Sequence, residues 1–311
     1  MFVRGPVAVR VPATSANLGP GFDSLGIALG LYDVVTAEVL DAGADDGADD
    51  GGIEVTVEGE GAGDVPLDES HLVCRSMLRA FAEMGVTPGV PLPRVRVHCR
   101  NVVPHGRGLG SSSAAIVAGL SVARALVVDG TSRCDDDALF ALAARIEGHP
   151  DNVAPAVYGG FTIAYTDDGA FRAVRLEVSS EVAFVVFVPP APLSTHVARA
   201  LLPASVSHDD ATRNTGRAAL LVAALTGRPD VLLAATEDRL HQAYRATAMP
   251  ESAALLSALR ADGVPAMVSG AGPAVLAVVP PSAVPEVTAR VPEGWRVLHL
   301  HADLDGARRL P

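Results

Sequence analysis

Apolar residues fall along the chain in short blocks of two kinds. Some alternate with polar residues, as in a strand with one solvated face, and others recur every three or four positions, as in a helix. Val7–Val11, Leu31–Leu40, Ile53–Glu58 and Val95–Cys99 read as strands. Leu72–Met84, Ser112–Val128 and Asp136–Glu147 read as helices, the last closed by Gly148, a residue suited to the left-handed position after a helix. Phe161–Tyr165 and Phe171–Val178 flank an Asp-Asp-Gly turn and predict a hairpin. Val182–Val188 is apolar without interruption, which predicts a buried strand. Beyond it the texture changes. A helical pattern dominates from Thr195 to Asp262, followed by strands at Ala266–Val268 and Ala274–Val279, a helix over Ala283–Val291 and a strand over Arg296–His301. This order of elements predicts an α+β protein in two parts, residues 1–170 and 171–311, with the boundary in the region 165–180.

The chain has 311 residues, 49% of them apolar, enough for a substantial core. Its net charge is −12 and it has no run of Lys or Arg, so a nucleic-acid partner is not expected and a small-molecule substrate is. No run reaches the ~18 apolar residues of a membrane helix. The N-terminus lacks the apolar core of a signal peptide, and the expected setting is the cytoplasm. Cys74, Cys99 and Cys134 form no CxxC pair and read as buried thiols. The acidic stretch DAGADDGADDGG, residues 41–52, reads as a solvated connection between strands, since its spacing is too irregular for a metal loop.

Four stretches carry candidate chemistry. In PHGRGLGSSSAAIVAGL, residues 104–120, three alternating glycines run into three serines and an apolar helix. Glycine lets backbone N–H groups approach a ligand, and a helix start offers unpaired N–H groups and a partial positive charge, so this junction suits an anion such as phosphate. Ser111, Ser112 and Ser113 add hydroxyls, and His105 and Arg107 add charge. The same residues are compatible with a tight turn and a serine cap. The stretch lacks the ending of a Walker loop and the third glycine of a dinucleotide fingerprint. PATSANLGPGFDSLGIAL, residues 12–29, places Asn17 and Asp23 where they could also form Asx turns. EGHPDNVAPAVYGG, residues 147–160, offers a carboxylate, an imidazole and an amide, which could converge on a metal and substrate or act as helix caps. VSGAGPAVLAVV, residues 268–279, is a glycine-rich turn between apolar strands.

Together and in this order, the four stretches resemble the GHMP kinases, named for their galactose, homoserine, mevalonate and phosphomevalonate members. The resemblance covers nearly the whole chain. It is nearest to the branch acting on L-homoserine, a likeness shared by DRLHQAYR at residues 238–245. It implies a two-domain α+β fold: an N-terminal ribosomal-protein-S5-like ATP-binding domain and a C-terminal ferredoxin-like domain that completes the substrate site. It implies ATP-dependent phosphorylation of the L-homoserine hydroxyl, giving O-phospho-L-homoserine for threonine biosynthesis, with Mg2+ as second cofactor. It leaves a homodimer open. Carried onto this sequence, Val103, Pro104, His105, Gly106, Arg107, Gly108, Leu109, Gly110, Ser111, Ser112 and Ser113 would wrap the ATP phosphates, with Ser112 and Glu147 as Mg2+ partners. Asn17, Asp23 and Asn152 would hold the amino-alcohol end of the substrate. Arg199 and Arg245 would clamp its carboxylate, and Gly270 and Gly272 would border the same site. Asn152, Asp151 and Ser112 would stand nearest the transfer, Asp151 close to where mevalonate kinases carry an aspartate proposed as base. One departure stands in the segment facing adenine. Where the family often has Asn in a form like N-L-V, this chain has Ser70-His71-Leu72-Val73, so His71 takes the place of the amide. The alternatives are a GHMP kinase for mevalonate or a sugar, or a catalytically silent member.

Overall fold

The computed structural model describes residues 2–40, 52–86 and 94–311 and contains two sheets. The first is built from β1 (Val7–Ala16), β2 (Leu25–Val39), β3 (Ile53–Gly59), β4 (Val95–Asn101), β5 (Phe161–Asp167), β6 (Ala170–Leu176) and, from the end of the chain, β11 (Arg308–Arg309). Its order is β11-β1-β2-β4-β3, antiparallel except for β3 and β4. The long β2 serves two partners: Leu25–Ile27 pair with β5, and Val34–Val39 pair with β4. The acidic segment 41–51 lies outside the described residues.

Helices α1 (Leu72–Glu83), α2 (Ser111–Leu126), α3 (Gly130–Arg133), α4 (Asp136–Glu147) and α5 (Val153–Tyr158) follow within this half. α2 is the central one. It packs Ile116, Val117 and Leu120 with Val9, Val11 and Val97 from the sheet and Met77, Phe81 and Phe140 from its neighbours. Burial nearly all round explains why its sequence is apolar on every side rather than striped. Cys74 and Cys99 lie in this core, and burial pushes both thiols up to about 12, so they are inert at neutral pH.

The second sheet has four antiparallel strands in the order β10-β7-β9-β8: β7 (Ala183–Val188), β8 (Ala266–Val268), β9 (Val275–Val279) and β10 (Arg296–Leu300). Between β7 and β8 run α6 (Thr195–Ala200), α7 (His208–Thr226), α8 (Leu232–Ala235), α9 (Gln242–Arg245) and α10 (Pro250–Ala261). Between β9 and β10 runs α11 (Val284–Thr288), so the connectivity is the βαββαβ of ferredoxin-like folds. β7 divides its side chains by the period of two. Phe184, Val186 and Val188 share a core with Leu18, Ile27 and Phe161 of the first half, while Val185 and Phe187 pack with Leu259, Val284 and Val287. A strand covered on both faces needs no polar residue, hence its uninterrupted apolar run.

The α+β architecture agrees with the sequence reading. The hairpin predicted around the Asp-Asp-Gly turn is β5–β6, and both of its strands stay in the first sheet. The chain crosses to the second sheet between Leu176 and Ala183 and returns after β10 to pair β11 with β1. β1 runs to Ala16, past the predicted end, because Thr14, Ser15 and Ala16 pair with Ala28, Ile27 and Gly26 of β2. No helix among the described residues is long and apolar enough to cross a membrane.

Candidate active site

The loop from Val103 to Gly110 leaves β4 and opens α2. Its ends are anchored in the core by Val103 and Leu109, both fully buried. A buried carboxylate, Asp33 on β2, accepts the N–H groups of Val102 and Val103 at 2.6 and 2.9 Å. Between the anchors, Gly106, Gly108 and Gly110 take φ of +64°, +76° and +69°, a region that disfavours side chains. Close approach is the second reason for glycine. A Cβ on Gly108 would lie 2.1 Å from the Ser269 carbonyl oxygen, and one on Gly110 would lie 1.9 Å from Thr14 Oγ1. The loop is thereby seated against the first and fourth motifs, to which Thr14 N–H to Leu109 O (3.0 Å) and Ala274 N–H to Arg107 O (3.2 Å) also bind it.

The serines do not cap the helix. Gly110 occupies the N-cap without a side-chain bond, and Ser112 and Ser113 instead donate to Glu147 Oε1 at 2.6 and 2.9 Å. The first turn of α2 thus keeps its unpaired N–H groups and positive end for a ligand and gathers two hydroxyls and a carboxylate beside them. Arg107 has a different place from the one its charge suggested. Its guanidinium donates to the carbonyls of His105 (2.6 Å), Pro189 (3.1 Å) and Pro190, bracing the loop against the segment after β7.

Two cavities meet at Ser111 and Ser112, which line both. The first, of about 310 Å3, is mostly apolar, walled by Val35, Val65, Pro66, Leu72 and Ala118. His71 and His105 line it too. His71 is buried, its Nδ1 has no partner, and burial and then His105 lower its pKa, so the ring is neutral. The second, of about 210 Å3, draws on all four motifs: Asn17, the three loop glycines, Glu147, His149, Asn152, Arg199, Arg245 and Gly270.

The polar wall of this second cavity is organised by bonds across long sequence distances. Thr14 Oγ1 donates to Asn152 Oδ1 at 2.8 Å, which leaves the Asn152 NH2 as the free end of that amide. Asn17, at φ +51°, accepts the Asp23 N–H through Oδ1 at 2.8 Å. Asp23, an expected site residue that itself lines neither cavity, takes both terminal nitrogens of Arg199, at 2.7 and 3.2 Å. Arg245 is fully buried. Its Nη1 donates to His241 Nδ1 at 3.1 Å and to Gly270 O at 3.4 Å, its Nε has no partner, and no carboxylate pairs with it among the described residues. Burial, and then Arg199, lower its pKa from the arginine value. Phe22 lies beneath both arginines, its ring centre 5.7 Å from Arg199 and 5.3 Å from Arg245.

Some expected site residues stand back from the cavities. Asp151 is fully buried and does not line the second cavity; its Oδ1 accepts His149 Nδ1 at 2.7 Å and its own next N–H, from Asn152, at 3.0 Å. Gly272 packs where a Cβ would strike Met249 Sδ at 2.5 Å and also does not line the cavity. Two residues that the sequence reading did not single out join the site, Thr14, which turns Asn152, and Asp33, which anchors the loop, while His149, the imidazole of the third stretch, lines the second cavity. Burial lowers the His149 pKa, but the Asp151 hydrogen bond and the charges of Asp151 and Glu147 outweigh it, and the net shift is upward.

The glycine geometry makes a direct prediction. Gly110→Ala should lower the melting temperature, since the left-handed backbone alone costs a side chain about 1–2 kcal/mol, and should also lower turnover. If the Thr14 contact is the cause, Thr14→Ala in the same chain recovers part of the stability in a double-mutant cycle. Additive losses would show that the contact is not responsible.

A family model described as the GHMP kinases N terminal domain matches residues 71–160, and one described as GHMP kinases C terminal matches residues 220–297. Homoserine kinase of Streptomyces coelicolor is 53% identical to this chain over 310 residues, covering 100% of the chain and 96% of the relative. The chain is a GHMP kinase. As a member of that family it is an ATP-dependent small-molecule kinase. Two solved structures agree along the length of this GHMP kinase. Homoserine kinase from Cytophaga hutchinsonii superimposes with a TM-score of 0.84 at 24% identity, covering 100% of both chains. A putative homoserine kinase from Listeria monocytogenes gives 0.74 at 32% identity, covering 98% of this chain and 99% of the other.

The residues present fit a nucleotide with its metal. Mg2+ is usually held by one or two carboxylates together with phosphate oxygens, not by an all-protein cage. The GHMP kinase offers that set in Glu147 and Ser112 beside the phosphate-type loop, and no group of three His, Cys, Asp or Glu placed to hold a metal ion occurs among the described residues.

Proposed function

We propose that this kinase transfers the γ-phosphoryl group of ATP to the side-chain hydroxyl of L-homoserine. The observation that carries the reading is Arg245, a buried guanidinium on the wall of the second cavity with no carboxylate partner among the described residues. A buried cation is costly unless an anion joins it. The planar fork of arginine suits a carboxylate, so the substrate is expected to bring one, which a neutral sugar does not. Mevalonate also has a carboxylate but lacks the ammonium group that Asp23 and Asn17 would receive. The high identity to homoserine kinases supports the amino acid.

In this reading the base of ATP enters the apolar cavity beside His71, and its phosphates follow the glycines to the first turn of α2. Glu147 and Ser112 hold Mg2+, which when bound neutralises phosphate charge. Phosphoryl transfer of this kind depends on positioning and electrostatics more than on covalent chemistry. The α2 N–H groups meet the phosphate oxygens, and Asn152, its amide turned by Thr14, orients the acceptor hydroxyl. His149 lines the second cavity, and although burial disfavours its charge, Asp151 and Glu147 shift it toward the protonated form. Asp151, behind His149, supports that imidazole and is not assigned as a base. A cytoplasmic location belongs to the same reading.

A coupled ADP-release assay with L-homoserine, mevalonate and galactose tests it. ADP release dependent on homoserine, with phosphohomoserine as product, is the expected result. Preferred turnover of mevalonate or galactose would replace the substrate assignment, and no turnover of any would identify a silent member.

A further inference from the structure

His241 lies just before the helix that carries Arg245, is fully buried, and reaches neither cavity. Both of its ring nitrogens are engaged. Nε2 lies 2.7 Å from the carbonyl oxygen of Gly19, and Nδ1 lies 3.1 Å from Arg245 Nη1. A carbonyl only accepts and a guanidinium only donates, so the two bonds fix the tautomer: hydrogen on Nε2, lone pair on Nδ1. The ring also stacks on Phe22, with centres 5.3 Å apart at 30°. The charged groups facing it are Asp238 (Oδ1 3.6 Å from Nε2), Arg245 and, farther out, Asp23. Asp238 is already occupied by the N–H groups of Leu240, His241 and Gln242. Burial is the largest influence on the ring and favours its neutral form.

We infer that His241 is a positioning residue whose Nδ1 lone pair aims the Arg245 guanidinium at the substrate carboxylate. Without this acceptor, Arg245 keeps one long bond, to Gly270 O at 3.4 Å, and the fork is free to turn. Through Gly19 and Phe22 the same ring fixes Arg245 relative to the turn holding Asn17 and Asp23. The two parts of the site that would hold the carboxylate and ammonium ends are thereby set at one spacing. The inference rests on the homoserine reading and deepens it.

The test compares His241→Phe, which keeps a stacking ring and removes both hydrogen bonds, with His241→Asn, whose Oδ1 replaces the Nδ1 acceptor. Steady-state kinetics are measured with L-homoserine and with 2-amino-1,4-butanediol, its carboxyl-reduced analogue. Loss of a hydrogen bond to a charged group predicts a rise of about tenfold or more in the homoserine KM of His241→Phe. Its kcat, ATP KM and constants for the diol should stay near wild type, and His241→Asn should recover most of the loss. An unchanged homoserine KM in His241→Phe, an equal penalty on both acceptors, or no recovery with Asn would overturn the inference. If His241→Phe does not fold, His241→Asn decides alone: a homoserine KM near wild type upholds the role and a tenfold rise overturns it. A wild-type enzyme inactive on homoserine would instead defeat the underlying substrate assignment.

Discussion

Arg245→Met is expected to lower kcat/KM for L-homoserine by about a hundredfold or more while leaving the protein as stable as the parent, or more so. The free enzyme holds this guanidinium fully buried, with Nε unpartnered and a second arginine nearby. Replacing a buried charge by an apolar side chain of similar volume is commonly neutral or stabilising by ~1–4 kcal/mol. The substrate supplies the missing anion, and losing one partner of a buried charge pair costs about 2–5 kcal/mol, or some thirtyfold to several thousandfold. The two effects have opposite signs, which separates this outcome from simple damage to the fold. Kinetics with homoserine and its diol analogue, together with thermal melting, provide the check. ATP-induced thermal stabilisation should persist, because the hydrogen bonds of Arg245 go to His241 and Gly270 and not to the phosphate loop. A fall in melting temperature with equal losses on both acceptors would make Arg245 a structural residue and remove the main chemical support for an amino-acid substrate.

What the sequence disclosed depended on how local each feature is. The phosphate-type loop is local: glycine spacing and a following apolar helix reveal it, and Gly106, Gly108 and Gly110 take the left-handed angles such a loop requires. β7 is local too, since a strand covered on both faces leaves an unbroken apolar run. The site's polar wall is not local. Thr14 reads as a polar residue at a strand end, and its function comes from Asn152, 138 positions away. Asp33 reads as one polar position in an alternating strand. It acts on Val102 and Val103 because β2 pairs with β4, which delivers the loop to its side chain. Arg107 shows the converse. Charge beside a glycine loop suggested a phosphate ligand, yet three carbonyls, two of them more than 80 positions away, take its donors. A positive side chain announces donors, and only the fold decides what receives them. The serines shifted role for a similar reason. Gly110 already fills the N-cap, so their hydroxyls turn to Glu147.

Glu147→Gln is expected to reduce kcat by about a hundredfold or more with an unchanged melting curve. The amide matches the carboxylate in shape and can still accept from Ser112 and Ser113 through its oxygen, so the junction of α2 and α4 should hold together. What disappears is the negative charge beside the unpaired N–H groups of α2, the charge this reading assigns to Mg2+. Perturbing residues around a metal typically costs about 10–100-fold in affinity or activity, and loss of a direct ligand belongs at the upper end or beyond. The signature lies in the metal dependence. A Mg2+ titration at fixed ATP should show the activation midpoint moved to higher concentration as well as a lower plateau. A residue that merely supports the fold would lower the plateau through instability and leave the midpoint in place. The Arg245 and Glu147 variants should also divide the site between its two ligands. Arg245→Met should penalise only the carboxylate-bearing acceptor, whereas Glu147→Gln should slow homoserine and its diol analogue alike, because both acceptors receive the same phosphoryl group. Near-normal turnover of Glu147→Gln at saturating Mg2+ would remove Glu147 from the metal site and leave it as the anchor of two serine hydroxyls.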